Sequence, residues 1–176
     1  MKTSYWTLAL VTLLGGALPA AQHPTMPAGI LHEEHLRQMQ KDAELEHRGT
    51  LAMGFDQDKT VHHFLLLHAG GAIVVTSKDA ADAESIAQIR SHLREIATSF
   101  GDGLFDKPVA THGELPPGAG TMATNKARIT YRYAERGDGA TVVIETTDPD
   151  ALEAIHEFLR YQIVEHKTGD PLTPQD

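Results

Sequence analysis

The sequence predicts an α+β domain made of duplicated ββα units forming a four-stranded antiparallel sheet with two helices on one face, plus an N-terminal helix. Two observations carry this. Apolar runs of strand length occur in pairs joined by glycine turns, and each pair is followed by a segment with apolar residues at helical spacing. The two pairs also match each other. GGAIVVTSKD followed by IRSHLREIA corresponds to GDGATVVIETTD followed by IHEFLRYQI, so that Ile89, Leu93 and Arg94 fall 66 positions before Ile155, Leu159 and Arg160. The strands need a three-residue gap in that alignment. Helices laid on one side of such a sheet bury the apolar stripe of each helix and one face of each strand.

Taken in order, residues 1–21 read as a signal peptide. Lys2 gives a positive start, Trp6 to Leu14 an apolar core, and Gly15 to Ala21 the small residues where a signal peptidase cuts. That core is shorter than the roughly 20 apolar residues a membrane span needs. The expectation is a periplasmic or secreted protein with no stable membrane anchor after cleavage. Residues 22–29 are a Pro/Gly-rich arm, and residues 30–170 form a single α+β domain. Within it, residues 30–48 are the N-terminal helix, with Leu31, Leu36, Met39 and Ala43 on one weakly apolar face and Gly49 expected to end it.

The first ββα unit occupies 60–100. A strand at 61–68 turns at Ala69, Gly70 and Gly71 and returns over 72–77. Asp79 and Asp82 are candidate N-caps for a helix carrying Ile86, Ile89, Leu93, Ile96 and Phe100. Residues 101–125, rich in glycine and proline, are expected to be a long connecting loop. The second unit occupies 126–169. Ile129, Tyr131 and Tyr133 alternate with Arg128, Thr130 and Arg132, Gly137 to Gly139 make the turn, and 141–147 return. Asp148 caps a helix that opens on Pro149, carries Leu152, Ile155, Leu159 and Ile163, and runs to Gly169. Residues 171–176 are a tail.

A net charge of −9 with no basic stripe argues against nucleic acid and anionic membranes as partners. With no cysteine, disulfides, thiolate metal sites and cysteine nucleophiles are excluded. The unusual residue is histidine, with 11 in the chain, all beyond the predicted leader. His62 and His63 are neighbours in a strand and therefore point to opposite faces. One should face the helices and stay neutral through desolvation, and the other should face outward. His166 continues the core stripe of the last helix, where the helix dipole would favour a cation, and His156 lies one step off that stripe. His32, His35 and Met39 line one side of the first helix, and His112 sits in the predicted loop beside Glu114. Imidazole suits zinc, copper and nickel, and thioether suits Cu(I).

MPAGILHEEHLRQMQKDAELEHRG, MGFDQDKTVHHF and IHEFLRYQIVEHKTGD resemble segments of a family of small exported bacterial proteins. The resemblance covers nearly all of the chain beyond the leader and implies export and a common fold, with no activity attached. Members of that family sometimes carry the label aspartate carbamoyltransferase. That enzyme is far longer and grips its phosphate with a Ser-Thr-Arg-Thr loop, which no serine here reproduces.

Three functions follow as expectations. The first is metal binding or metal handling, with copper or zinc held by a set drawn from His62, His63, His156, His166, His112, His32, His35 and Met39. The second is a non-catalytic binding module or homodimer using an apolar sheet face, since both faces of the first hairpin are apolar. The third is an enzyme in which a strand histidine acts as general base, oriented by Asp56 or Asp58.

Overall fold

The computed structural model describes residues 28–175, so the predicted leader and the greater part of the arm lie outside the described residues. The chain divides into two units at Leu36 and Arg37. In the first unit the described residues are the opening turns of a helix. The second unit contains everything else. The elements are α1 (Ala28–Met53), β1 (Thr60–Leu67), β2 (Gly70–Ser77), α2 (Ala83–Gly101), α3 (Asp106–His112), α4 (Ala119–Thr124), β3 (Ile129–Arg136), β4 (Gly139–Thr146) and α5 (Pro149–Glu165).

The four strands form one antiparallel sheet in the order β1-β2-β4-β3. Each strand of the second hairpin lies 69 positions beyond its counterpart in the first, and the helix caps Asp82 and Asp148 lie 66 apart. The pairing of β2 with β4 places Ile73 opposite Val142, which is its own counterpart under that offset. The two ββα units are thus related by a two-fold axis passing between these residues. The three-residue gap in the sequence match falls between strand and helix.

Alternation along the strands decides what is inside. Phe64 and Leu66 of β1, Ile73 and Val75 of β2, Val142 and Ile144 of β4 and Ile129 of β3 share a single core with the stripes Ile89–Leu93–Ile96–Phe100 of α2 and Ile155–Phe158–Leu159–Ile163 of α5. Each such side chain contributes about 1.5–3 kcal/mol on burial, which is the main force holding the helices to the sheet. Leu152, expected in that stripe, is only half-buried, and Ala151 and Ala154 take its place against the sheet. Both helices start on a capping aspartate. Asp82 accepts from the Ser85 amide at 3.0 Å, and Asp148 from the Asp150 and Ala151 amides at 3.1 and 3.0 Å.

The helices are also pinned crosswise. Arg90 of α2 donates from Nε to the carbonyl of Gly139 at 3.3 Å and from Nη2 to that of Arg136 at 2.6 Å. His156 of α5, the counterpart of Arg90, donates from Nε2 between the carbonyls of Leu67 and Gly70, at 2.9 and 3.0 Å. Each helix therefore ties down the hairpin turn of the other unit, using two different residue types at one structural position.

Four expectations change. Gly49 does not end α1; the helix continues to Met53, and Gly54 at φ +74° breaks it. At Gly49 the space a Cβ would fill belongs to the Gln57 side chain, whose Nε2 would lie 2.3 Å away. The expected apolar face of α1 is outside: Leu36 and Met39 are exposed, whereas Leu45 is buried. Residues 101–125 are not one loop, since α3 and α4 form within it and bring Phe105, Ala119 and Met122 into the core. The last helix stops at Glu165, and residues 170–175 run back along the free edge of β1. There Asp170 accepts from the Phe64 amide at 2.9 Å and the Gln175 amide donates to Leu66 at 2.9 Å. Covering a free edge in this way removes a template for pairing with another chain.

Candidate functional site

The alternation that buries Phe64 and Leu66 also sends His62 inward and His63 outward, as expected for adjacent strand residues. His62 lies under the C-terminal end of α5, where its ring stacks on His166 with centroids 6.1 Å apart and planes within 11°. His166 in turn meets His112, the last residue of α3, edge to face at 5.1 Å. Phe55 joins His62 to a fourth imidazole, His92 of α2, with centroid distances of 5.8 and 5.4 Å. All four rings, with Met53, Lys107, Thr111 and Gln162, line one cavity of about 60 Å³ whose remaining wall is Phe64, Ile73, Val75 and the helix stripes. That is room for more than one water, which needs about 10–15 Å³ by the same measure.

Burial sets the protonation of these rings. It pushes His62 down to about 4, helped by His63, and His92 down to about 3, helped by Lys107 and His62. His166 falls to about 3 through burial, with His112 and His62 adding to it. Burial also lowers His112, against its hydrogen bond to the Gln162 carbonyl oxygen and the charge of Glu165, which act to raise it. All four are therefore neutral imidazoles at pH 7. The helix-dipole expectation for His166 loses to desolvation, because the ring turns into the cavity instead of toward water.

Neutral imidazoles need one donor and one acceptor partner each. Here Nε2 of His62, Nδ1 of His92 and Nδ1 of His112 are inaccessible to solvent and have no partner among the described residues, and the same holds for Nε2 of Gln162. With His112 Nε2–H donating to Gln162 Oε1 at 3.0 Å, its Nδ1 keeps a free lone pair. A buried polar group left unpaired costs about 1–3 kcal/mol, so this cluster is expensive as a piece of packing.

The remaining candidates are spread elsewhere. His63 stands on the outer face, its Nδ1–H donating to Asp170 Oδ1 at 2.8 Å. Asp170 also accepts from Thr168 Oγ1 at 2.7 Å. Burial acts to raise the Asp170 carboxyl, but the hydrogen bonds from Thr168, Phe64 and His63 outweigh it and hold it below the usual carboxylate range. Asp170, not Asp56 or Asp58, is thus the residue that orients a strand histidine; Asp56 caps its own short turn by accepting from the Asp58 amide. His156 is committed to the β1–β2 turn. His32 and His35 are exposed on the first unit's stretch of α1, and Met39 is exposed further along the helix.

Of the eight expected ligands, the structure brings His62, His112 and His166 to one cavity, which His92, Met53 and Gln162, not among those expected, also line. His92 had a signal: it lies three residues after Ile89 and four before Ile96, on the core stripe of α2. Gln162 stands likewise among Phe158, Leu159 and Ile163. Among the described residues no three His, Asp or Glu side chains are already close enough together to hold a metal ion, and no helix is long and apolar enough to cross a membrane. Comparisons with protein-family models, with curated proteins and with solved structures return no match for this chain.

Proposed function

We propose that the protein binds a transition-metal ion, copper or zinc, in the cavity between β1, α2, α3 and the end of α5, with His62, His112 and His166 as the nitrogen ligands. One observation carries this reading: neutral imidazoles of His62, His112 and His166 line one cavity, and a buried nitrogen of His62 and of His112 has no partner among the described residues. Metal ligation requires the neutral ring, and desolvation supplies it without any loss of proton at pH 7. With metal–nitrogen bonds of about 2.0–2.1 Å, two imidazoles on one tetrahedral ion have centroids about 5 Å apart. The contacts at 5.1 and 6.1 Å lie near that value, so the rings must rotate to aim their nitrogens inward, with little travel. The expected export suits such a site, because imidazole donors need no reducing compartment.

The test is metal titration followed by calorimetry at pH 7, on protein stripped with a chelator. One equivalent of copper or zinc should bind, and His62→Ala and His166→Ala should each weaken binding by about tenfold or more. His156→Ala should leave the affinity unchanged. Failure of either ion to bind at micromolar concentrations would end the proposal.

A second reading rests on the outer sheet face. Val61 is exposed there, and Leu65, Val74 and Val143 are partly exposed beside it, which fits a binding module or homodimer. Sedimentation at rising concentration separates the readings, since the metal site lies on the other face of the sheet.

A further inference from the structure

If the cavity is a metal site, its walls also select the ion. We infer that the cavity takes Cu(I) in preference to Zn(II), held by imidazoles of the His62–His166–His112 group together with the thioether of Met53. This rests on the metal reading above and goes further, to the oxidation state and to a sulfur ligand.

Charge is the first argument. Among the described residues no carboxylate lines the cavity, and the charged side chain that does, Lys107, is a cation paired with Glu95 at 3.2 Å. Glu165, nearby on α5, is already paired with Lys41 at 3.2 Å. A divalent ion would enter a space walled by Phe64, Ile73, Val75 and Phe158 with neutral ligands alone, and would keep its full double charge. The cost of moving an ion into a low-dielectric medium rises with the square of its charge, so a monovalent ion meets about a quarter of that cost. Zinc sites made of nitrogen ligands normally offset this with a carboxylate or a bound hydroxide that reaches water.

Donor type and number are the second argument. Met53, the last residue of α1, is partly buried against the core and lines the same cavity as the imidazoles. Thioether sulfur favours Cu(I) over zinc. Cu(I) is also content with two or three ligands, whereas zinc in a closed site asks for four. Gln162, 4% exposed with its Nε2 unpartnered, supplies a neutral polar neighbour and no charge.

The experiment is a pair of competition titrations on the full chain beyond its leader. One is anaerobic Cu(I) against bicinchoninate, the other Zn(II) against a chromophoric chelator. Cu(I) should bind at least about a hundredfold more tightly, and Met53→Leu should weaken Cu(I) by about tenfold while leaving Zn(II) unchanged. Leucine conserves volume, so the fold should persist. X-ray absorption of the wild-type copper complex gives an independent reading, with a Cu(I) edge and a sulfur scatterer expected. Tighter Zn(II), or a copper shell of nitrogen and oxygen only, would overturn this inference and leave the metal reading intact. Binding of neither ion would overturn both.

Discussion

The two halves of the sheet solve the same packing problem with different chemistry. Where β1 runs under the end of α5, His62 stacks on His166 at 6.1 Å. At the equivalent place, where β3 runs under the end of α2, Tyr131 meets Phe100 at 6.0 Å. His92 on α2 likewise corresponds to Phe158 on α5, and Ile96 to Gln162. The backbone geometry is shared, so the fold does not require imidazole at these positions; carbon rings serve as well. What the histidine half has and the aromatic half lacks is a group of buried nitrogen lone pairs around a cavity. Tyr131 does bury an unpartnered hydroxyl, but burial pushes that phenol upward, and it remains a neutral donor with nothing basic to offer a cation. The contrast separates what the architecture needs from what one half has added to it.

The largest effect that tests this contrast is acid stability. In the unfolded chain His62, His92 and His166 protonate near the ordinary value of 6.5; in the folded chain burial holds them near 4, 3 and 3. Between those values the unfolded state binds more protons, so stability is full above about pH 6.5 and falls as the pH drops. Each group contributes about 1.4 kcal/mol per pH unit in that window, and three together give a slope of about 4 kcal/mol per unit from pH 6.5 toward pH 4. The capping carboxylates Asp82 and Asp148, held low by amide hydrogen bonds, lose their contribution only at lower pH. Transplanting the other half's solution, as His62→Tyr with His166→Phe, should remove about 2.7 kcal/mol per unit from the slope, the share of the two replaced rings, and abolish metal binding. Urea denaturation at half-unit steps from pH 7 to pH 4 measures it. An unchanged slope would mean that the cavity opens to solvent before the chain unfolds.

This contrast was only partly legible in the sequence. Strand alternation and the 66-residue match were enough to place both hairpins and both core helices, because burial on one face forces a strict period; the strand order and the two-fold relation were not legible there. That one of His62 and His63 turns inward follows from the same rule, though not which of the two. The roles of His156 and His166 did not follow, since both lie near the apolar stripe of one helix and differ in what lies opposite: backbone carbonyls for one, a cavity for the other. Gly49 misled because a glycine at a helix end and one at a close approach look alike in sequence. Helices α3 and α4 were hidden by their glycines and prolines, and being about two turns long or shorter they carry no period to detect.

The next comparison is between the crosswise pins. His156→Ala strands the carbonyls of Gly70, which is buried, and Leu67, which is partly buried, and should cost about 2–3 kcal/mol in chemical denaturation. Arg90→Ala should cost about 1 kcal/mol, because its guanidinium is partly exposed and water can replace it at Arg136. His156→Arg, which copies the other half, should restore part of the loss if the two positions are equivalent. Full loss with arginine would show that the β1–β2 turn has become specific for a ring.

The smallest expected effect concerns how the two core helices end. Beyond α2 the chain passes through Asp102 to Gly103 at φ +76°, a glycine where a left-handed residue is wanted. Beyond α5 the left-handed position is filled by Lys167 at φ +52°, and the Thr168 amide closes the turn on the Ile163 carbonyl at 3.2 Å. A side chain there costs about 1 kcal/mol relative to glycine. Lysine at that site reaches Asp42 of α1 in an ion pair, and Lys41 reaches Glu165 beside it. Exposed pairs of this kind contribute at most about 1 kcal/mol. Lys167→Gly should therefore leave global stability within about 0.5 kcal/mol of wild type, the relief of strain offsetting the lost pair. It should act locally instead. Asp42, Leu45, Glu165, His166 and Lys167 border one cleft of about 260 Å³, so releasing Asp42 loosens α1 over His166. Faster hydrogen exchange in residues 42–49 with an unchanged melting temperature is the expected pair of results. A higher melting temperature with unchanged exchange would mean that the lysine is a plain packing compromise and that the ion pair holds nothing in place.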